Sequence, residues 1–242
     1  MAKKEKHCDP ADPADDGQGD HWDHVAFDPE HRLVVSVVPG RRTEGHTQLL
    51  VEDFHRRTGG RVMNLMTSDE NPAYAQAILD VYGAVVVPPR RGRRGRRPAP
   101  RKVPPPDLKY ATVHKVRENN RVVRVETRVV FGTWLGVLLA LALSAVSKVV
   151  NTAFIERHNG SDRNSNARKT RKSYCFSKDW DMHEAVTYFT MYSANFCRPV
   201  RTLRERKAEG GWRQRTPPMA AGLADHVWSL KEWLSFPAIQ RK

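Results

Sequence analysis

Residues 61–70 read RVMNLMTSDE, a short apolar run that ends in two carboxylates. Short apolar runs bounded by turn residues are typical of buried strands, so we predict a strand over residues 61–66. Asp69 then lies just past the end of that strand. Because open α/β sheets place their ligands at the carboxyl ends of strands, Asp69 is the first candidate for a functional residue.

Helices are predicted on both sides of this strand. Residues 47–58 carry apolar side chains at helical spacing before a Gly-Gly pair, and residues 72–82 begin at a proline and end before a glycine. Further out, alternating β-branched residues predict one hairpin over residues 22–38 and a second over residues 110–130. This order of hairpin, helix, strand and helix is an α/β layout.

The charge of the chain is strongly positive. Its 242 residues include 41 Lys and Arg against 27 Asp and Glu, which gives a formal net charge of +14. Eight cations and no acid fall between residues 90 and 102, within a Pro/Arg-rich insertion over residues 88–106. Such a segment cannot bury itself, and it either contacts phosphates or serves as a solvated linker. The expected partner is a polyanion, with nucleic acid first and an anionic membrane surface second.

A long apolar run occupies residues 129–147, where 19 consecutive residues carry no charge. That length falls within the range of a transmembrane helix, and Arg128 and Lys148 flank it as interfacial charges do. Glycine, threonine and serine dilute the run, however, and a helix packed against the sheet explains it equally well. We favour the core helix over the membrane span.

The cysteines and the start of the chain bear on its compartment. Cys8, Cys175 and Cys197 form neither a CxxC pair nor a zinc-binding spacing, so reduced thiols are expected. The first residues contain no apolar segment of the kind found in a secretory signal. A cytoplasmic location is therefore expected.

A second acidic candidate lies within a basic segment. Residues 151–160 read NTAFIERHNG, and a helix there aligns Thr152, Glu156, Asn159 and Arg163 on one face. Asp69 and Glu156 could share Mg²⁺, which takes oxygen ligands. The cations that follow are interleaved with aromatic residues, a pattern typical of a nucleic-acid surface or of a solvated helix face. The side chains assigned to DNA binding are Arg157, Asn159, Arg163, Arg168, Arg171, Lys172 and Lys178.

Several of these motifs together resemble the insertion-sequence transposases of the first-described bacterial family. The resemblance runs from about Lys3 to Gln240, and its motifs occur in the same order as in that family. They are WDHVA at residues 22–26, DPEHRLV at 28–34, RTGGR at 57–61, TSDE at 67–70, IERHN at 155–159 and RKSYCFSK at 171–178.

The resemblance implies a ribonuclease-H-like fold, in which helices flank a mixed sheet, and a three-carboxylate DDE-type site that binds two Mg²⁺ or Mn²⁺ ions. Such a site cleaves DNA strands at the element ends and then transfers them to a target. By motif, Asp69 is the second catalytic and metal-binding acid and Glu156 is the third. Duplex DNA is the implied partner, with a possible homo-oligomer and a nucleoid-associated location.

The chain departs from the family at its start. Family members carry the first aspartate in a strand reading Asp-Glu-x-Trp-Ser-Phe-Val, before the position that matches residues 2–4, whereas this chain begins at Met1. Asp20 and Asp23 belong to the segment that matches the following loop and strand, so neither is a good substitute. The sequence therefore predicts an N-terminally truncated transposase that can be inactive, or else a noncatalytic DNA-binding remnant.

The expected organisation has five parts. They are a polar loop over residues 1–20, the first part of the catalytic core over 21–87, the Arg/Pro-rich insertion over 88–106, the second part of the core, which carries Glu156, over 107–180, and a helical C-terminal region over 181–242.

Overall fold

The computed structural model describes residues 5–9, 11–15, 19–89, 98–119, 121–170, 174, 175, 177 and 179–236. The strands are β1 His21–Asp28, β2 Leu33–Arg41, β3 Met66–Asp69, β4 Ala84–Val86, β5 Arg101–Val103, β6 Tyr110–Glu118, β7 Arg121–Phe131, β8 Glu205–Arg206 and β9 Trp212–Arg213. The α-helices are α1 Glu44–Arg57, α2 Ala73–Tyr82, α3 Trp134–Leu143, α4 Ala153–Ser165, α5 Trp180–Cys197, α6 Pro217–Ala220 and α7 Leu230–Ser235. The protein is therefore of the mixed α/β class.

The chain divides into two compact units. Residues Arg42–Phe154 form one, which we call the continuous unit, and Met1–Arg41 together with Ile155–Lys242 form the other, which we call the split unit. Asp69 belongs to the continuous unit and Glu156 to the split unit.

The continuous unit is built on a three-stranded mixed sheet. β3 pairs in parallel with β6, and β6 pairs antiparallel with β7. Tyr110 of β6 packs in one core cluster with Val51 of α1 and Ile78 of α2. Ala111, the next residue along β6, packs in a second cluster with Val137 of α3. Because successive side chains of a strand point to opposite faces, helices cover this sheet on both sides.

Local sequence signals locate most of these elements correctly. Both predicted hairpins are confirmed, as β1–β2 and β6–β7, and both predicted helices are confirmed as α1 and α2. The strand predicted over residues 61–66 is wrong in position, because β3 is Met66–Asp69 and Asp69 is its last residue. Pairing with β6 fixes this register, since Met66 pairs with Tyr110 at the start of that strand.

The apolar run over residues 129–147 is divided between two elements. Its first three residues complete β7, and α3 begins only after Gly132, which turns the chain with a φ of 85°. Thr133 caps the helix, because its side chain accepts a hydrogen bond from the Gly136 amide at 3.1 Å. The core-helix prediction is confirmed for one face only, since Val137 is buried whereas Leu143 is 86% exposed. Across the described ranges, no helix combines the length and apolarity that crossing a bilayer requires.

The Arg/Pro-rich insertion is only partly described. Residues 90–97, which carry most of its arginines, lie outside the described residues. Within the insertion, Arg101–Val103 forms β5, a strand that the sequence did not predict, and it pairs antiparallel with β4. Lys102 there makes an ion pair with Asp80 of α2 at 2.6 Å, so the end of the insertion is attached to α2.

In the split unit, the first hairpin packs against helix α5. Val34 and Val37 of β2 form a buried cluster with Met191 of α5. The buried side chain of Asn195 accepts a hydrogen bond from the Val34 amide at 3.1 Å and donates one to the Val34 carbonyl at 2.9 Å. The Tyr192 hydroxyl accepts a third from the Val37 amide at 3.3 Å. Side chains of α5 thus satisfy backbone groups of β2 that a further strand would otherwise pair with.

Candidate functional site

Asp69 ends β3 with an exposed carboxylate. Its Oδ1 accepts a hydrogen bond from the Asn71 amide at 3.3 Å, and Asn71 Oδ1 in turn accepts one from the Ala73 amide at 3.2 Å. These two side-chain turns lead the backbone from the strand into α2. Asp69 therefore has a structural role at the end of β3. Its second carboxylate oxygen, Oδ2, is a further oxygen atom of the kind that binds metal ions.

Two tyrosines lie beside Asp69. The Tyr110 hydroxyl is 2.6 Å from Ser68 Oγ, and Ser68 Oγ donates to the Asp69 carbonyl at 2.6 Å. Because Ser68 has one hydroxyl proton, Tyr110 is the donor to Ser68. Burial, together with the Asp69 carboxylate, raises the pKa of Tyr74 to about 12 and that of Tyr110 to about 12. Both phenols stay protonated near neutral pH, so neither adds a second negative charge near Asp69.

Glu70, which follows β3, belongs to a charged row that sequence reasoning missed. Its Oε2 is hydrogen-bonded to Nδ1 of His114 on β6, and its Oε1 lies 3.1 Å from the Arg128 guanidinium on β7. Arg128 also approaches Glu126 at 3.7 Å, and Glu126 pairs with Arg124. The row depends on pairing between β3 and β6, whose paired residues are more than 40 positions apart in the sequence. No local sequence pattern therefore predicts the row. Arg128, which the less favoured transmembrane interpretation would place at a bilayer interface, is part of this row.

Glu156 lies on α4 in the split unit, with its side chain exposed. The predicted helical face is confirmed at Glu156, Asn159 and Arg163, which fall within Ala153–Ser165, but it is wrong at Thr152, which precedes the helix. Among the predicted DNA-binding side chains, Arg157 and Arg163 are exposed, and Asn159 and Arg168 are half-buried. The remaining three, Arg171, Lys172 and Lys178, lie outside the described residues.

A buried ion cluster around Lys169 holds α4 in place through Asp162. Nζ of Lys169 lies 2.6 Å from Asp162 of α4 and 3.0 Å from Asp23 of β1, and the side chains of Lys169 and Asp162 are only 6% and 8% exposed. His183 of α5 completes the cluster, with Nε2 at 3.3 Å from Asp23. Burial by itself would raise the pKa of Asp23, but His183 and the Lys169 ammonium group hold it below its ordinary value. Asp23, considered from the sequence as a substitute metal ligand, is engaged in this cluster.

Within the described ranges, no group of three or more His, Cys, Asp and Glu side chains is arranged to hold a metal ion. No family model matches the chain, and no curated protein or solved structure shows a significant match to it.

His158 on α4 makes the stability of the split unit depend on pH. Its ring stacks on the ring of Phe27 in β1, with 4.9 Å between the ring centroids. Its buried Nε2 makes no hydrogen bond to a described residue. Burial lowers the pKa of His158 from 6.5; the Asp162 carboxylate opposes this shift, and the charge of Lys169 adds to it. The folded state therefore favours the neutral ring. The contribution of His158 to the free energy of unfolding is complete above pH 6.5. It is lost as the pH falls toward the lowered pKa of the folded state.

We expect the free energy of unfolding to fall as the pH drops from 7 toward 5, with a contribution from His158 of at most about 1.4 kcal/mol per pH unit. His158→Phe keeps the ring contact and removes the titrating group, so its urea-unfolding curves should vary less with pH. Every other titratable side chain is present in both proteins, so the difference between the two curves reports on His158. An identical pH dependence in the variant would contradict the neutral, buried His158.

Proposed function

We propose that this chain is a DDE-type transposase polypeptide that acts on duplex DNA at insertion-sequence ends in the cytoplasm, with Asp69 and Glu156 as two of its metal-binding carboxylates. The position of Asp69 supports this most strongly. An exposed carboxylate ends β3, which runs parallel to β6 within a mixed sheet flanked by helices. Functional side chains of α/β proteins concentrate at such strand ends. The motifs around Asp69 and Glu156 assign these acids to the second and third positions of the triad.

The two acids suit the proposed ion by their chemistry. Mg²⁺ and Mn²⁺ take carboxylate oxygens, and the side chains of Asp69 and Glu156 are both exposed. When bound in a two-metal site, such ions activate the attacking water or hydroxyl and stabilise the leaving oxygen. Asn71 orients the Asp69 carboxylate through its backbone amide, and the neighbouring tyrosines add no negative charge.

The basic side chains beside Glu156 support DNA as the substrate. Arg157 and Arg163 are exposed on the same helix as Glu156, within a chain of formal net charge +14. Guanidinium groups bind phosphate through paired hydrogen bonds and keep their charge at any physiological pH. DNA bound along this face of α4 would place its backbone next to the Glu156 carboxylate.

Nicking of supercoiled plasmid in the presence of Mg²⁺ or Mn²⁺ tests the proposal. Asp69→Asn and Glu156→Gln remove one carboxylate charge each while they keep the size of the side chain. Each substitution should reduce nicking by more than about 100-fold. Loss of a residue that only contacts a metal ligand can already cost roughly that much. Chelation of the metal should have the same effect, and DNA binding in chelator should persist.

Matched controls come from exposed acids outside the site. Asp107→Asn in the continuous unit and Glu209→Gln in the split unit remove the same charge from exposed positions, and both should nick as the wild type does. Metal-dependent nicking that survives Asp69→Asn or Glu156→Gln would exclude the assigned residue from the site.

A noncatalytic DNA-binding protein is the second candidate. It is favoured by the structural roles of two carboxylates, because Asp69 orders the turn into α2 and Asp23 belongs to the buried cluster with Lys169. Its signature is binding of duplex DNA that weakens steeply with salt, without nicking in either metal. The plasmid experiment therefore separates the two functions directly.

A further inference from the structure

A short hairpin follows α5 in the split unit. Its strands β8 and β9 pair antiparallel, with Glu205 opposite Arg213 and Arg206 opposite Trp212. Because neighbouring residues of a strand point to opposite faces, Arg206 and Trp212 share one face of the hairpin, and Glu205 and Arg213 share the other. An isolated two-stranded hairpin is marginally stable, so contacts with the rest of the unit hold this one in place.

The face that carries Glu205 and Arg213 makes those contacts. Glu205 forms an ion pair with Arg215. The Arg213 guanidinium donates a hydrogen bond to the Asp225 carbonyl at 2.9 Å, and the Arg215 guanidinium donates one to the Met219 carbonyl at 3.1 Å. This face is therefore attached to the chain that follows the hairpin.

The other face carries a large aromatic side chain beside two cations. Trp212 is 50% exposed although Arg204 lies over its ring, with the guanidinium carbon 4.0 Å from the ring centroid. Since the guanidinium covers one face of the indole, much of the exposed area belongs to the opposite face and to the edge of the ring. Arg206 is the cross-strand partner of Trp212, and the Cβ atoms of such partners lie about 4.5–5.5 Å apart.

The positive charge of this second face is not neutralised within the described part of the chain. Arg204, Arg206 and the following Lys207 form no ion pair with a described acid. A solvated charge run explains these cations but does not explain the half-exposed indole on which one of them stacks. Exposed aromatic rings beside cations are typical of surfaces that bind single strands, because bases stack on the ring and phosphates contact the cations.

We propose that Trp212, Arg204 and Arg206 form a platform for single-stranded nucleic acid. An unpaired base stacks on the open face of the Trp212 ring, and the two guanidinium groups contact the phosphates on either side of that nucleotide. Arg204 strengthens the stack from below, since a planar guanidinium packs well on an aromatic face. The platform goes beyond the proposed function, because it requires neither a metal ion nor duplex DNA. None of its three side chains is among those predicted from the sequence to bind DNA.

Binding of fluorescently labelled oligo-dT in the presence of chelator, measured by anisotropy, tests the platform. Trp212→Ala should weaken binding by roughly 5- to 150-fold, the range expected for loss of one stacked base. Trp212→Phe keeps an aromatic ring and should retain most of the affinity. As a matched control, Trp134→Ala removes a tryptophan of α3 that is 53% exposed, and it should leave the affinity unchanged. Equal affinities of Trp212→Ala and the wild type would overturn the proposal.

The salt dependence tests the phosphate contacts. Arg206→Gln should lower the slope of log affinity against log salt by about 0.7, the value for one phosphate of a single strand. Arg61→Gln removes an exposed charge from the continuous unit and should leave that slope unchanged. Equal reductions in the two variants would show that general charge binds the strand, and the platform would be excluded.

Photocrosslinking to oligo-dT that contains iodouracil distinguishes a stacked base from a structural effect of Trp212→Ala. Mass spectrometry should locate the crosslink at Trp212 of the wild-type protein. Paired bases stay stacked within a duplex and cannot reach the ring, so Trp212→Ala should bind duplex DNA as the wild type does. A crosslink confined to other residues, or an equal loss of duplex and oligo-dT binding, would contradict a base stacked on Trp212.

Two further ligands identify what the platform accepts. Binding of oligo-rU as well as oligo-dT, or of only one of them, supports the platform and shows which sugar it accepts. Vesicles of phosphatidylserine test insertion of Trp212 into an anionic membrane surface; vesicle binding that depends on Trp212, without binding of either oligonucleotide, would overturn the proposal. Nicking in metal is measured separately, so failure of the platform leaves the transposase proposal standing, and absence of nicking leaves the platform standing.

Discussion

Replacement of Lys169 by methionine should destabilise the split unit by roughly 3–5 kcal/mol, the usual cost of breaking a buried ion pair from one side. The ammonium group lies between the carboxylates of Asp162 and Asp23, at 2.6 and 3.0 Å. Methionine fills much the same volume but leaves both carboxylates without their cation in a site that is almost closed to water. Urea denaturation followed by circular dichroism measures the loss.

Two further variants show whether the loss comes from the charge. Lys207→Met removes an exposed lysine of the same unit and should change stability by less than about 0.5 kcal/mol. Asp162→Asn in the Lys169→Met background removes one uncompensated charge and should recover part of the stability, which a double-mutant cycle quantifies. Equal, small effects for Lys169→Met and Lys207→Met would show that the cluster is open to solvent.

Substitution of Asn195 by leucine should cost roughly 2–6 kcal/mol, because two buried backbone groups lose their partner at about 1–3 kcal/mol each. The Asn195 amide bonds both the N–H and the C=O of Val34, which is 4% exposed. Leucine has the same number of side-chain heavy atoms as asparagine but satisfies neither group. The same urea experiment measures the difference in the free energy of unfolding.

Two further variants show how large the loss of stability in Asn195→Leu is in comparison with smaller changes. Tyr192→Phe removes the side-chain acceptor of the Val37 amide and should cost about 1–3 kcal/mol, since one buried N–H loses that partner. Asn164→Leu, at an exposed position of α4, should stay within about 0.5 kcal/mol of the wild type. A near-neutral Asn195→Leu would mean that water reaches the β2 edge.

The sequence predicts those parts of the fold whose signals are local. The hairpins follow from β-branched runs on either side of short turns, and α1 and α2 follow from apolar spacing that ends at glycine. The position of β3 does not follow, because its register depends on Tyr110, more than 40 residues away. The same non-local pairing determines the row formed by Glu70, His114 and Arg128. Asp69 was found because it stands near the end of an apolar run, which is a local feature.

Buried charges show the limit of sequence reasoning most clearly. Lys169 and Arg168 stand side by side in a basic segment, and nothing in composition or spacing separates them. The structure buries Lys169 between two carboxylates and leaves Arg168 half-buried. A cation run predicts a charged surface, and only tertiary packing shows which member of the run leaves that surface.

The arrangement of the split unit also sets the order in which the nascent chain can fold. Val34 and Asn195 are separated by 161 residues, so at roughly 5–20 residues per second the first hairpin leaves the ribosome about 10–30 s before its partner helix. All of the continuous unit is synthesised in that interval and can fold first. During the wait, the valines of β2 lack their cover and its outer backbone groups lack their partners. This hairpin is therefore the segment of the growing chain that most needs protection from contact with other chains.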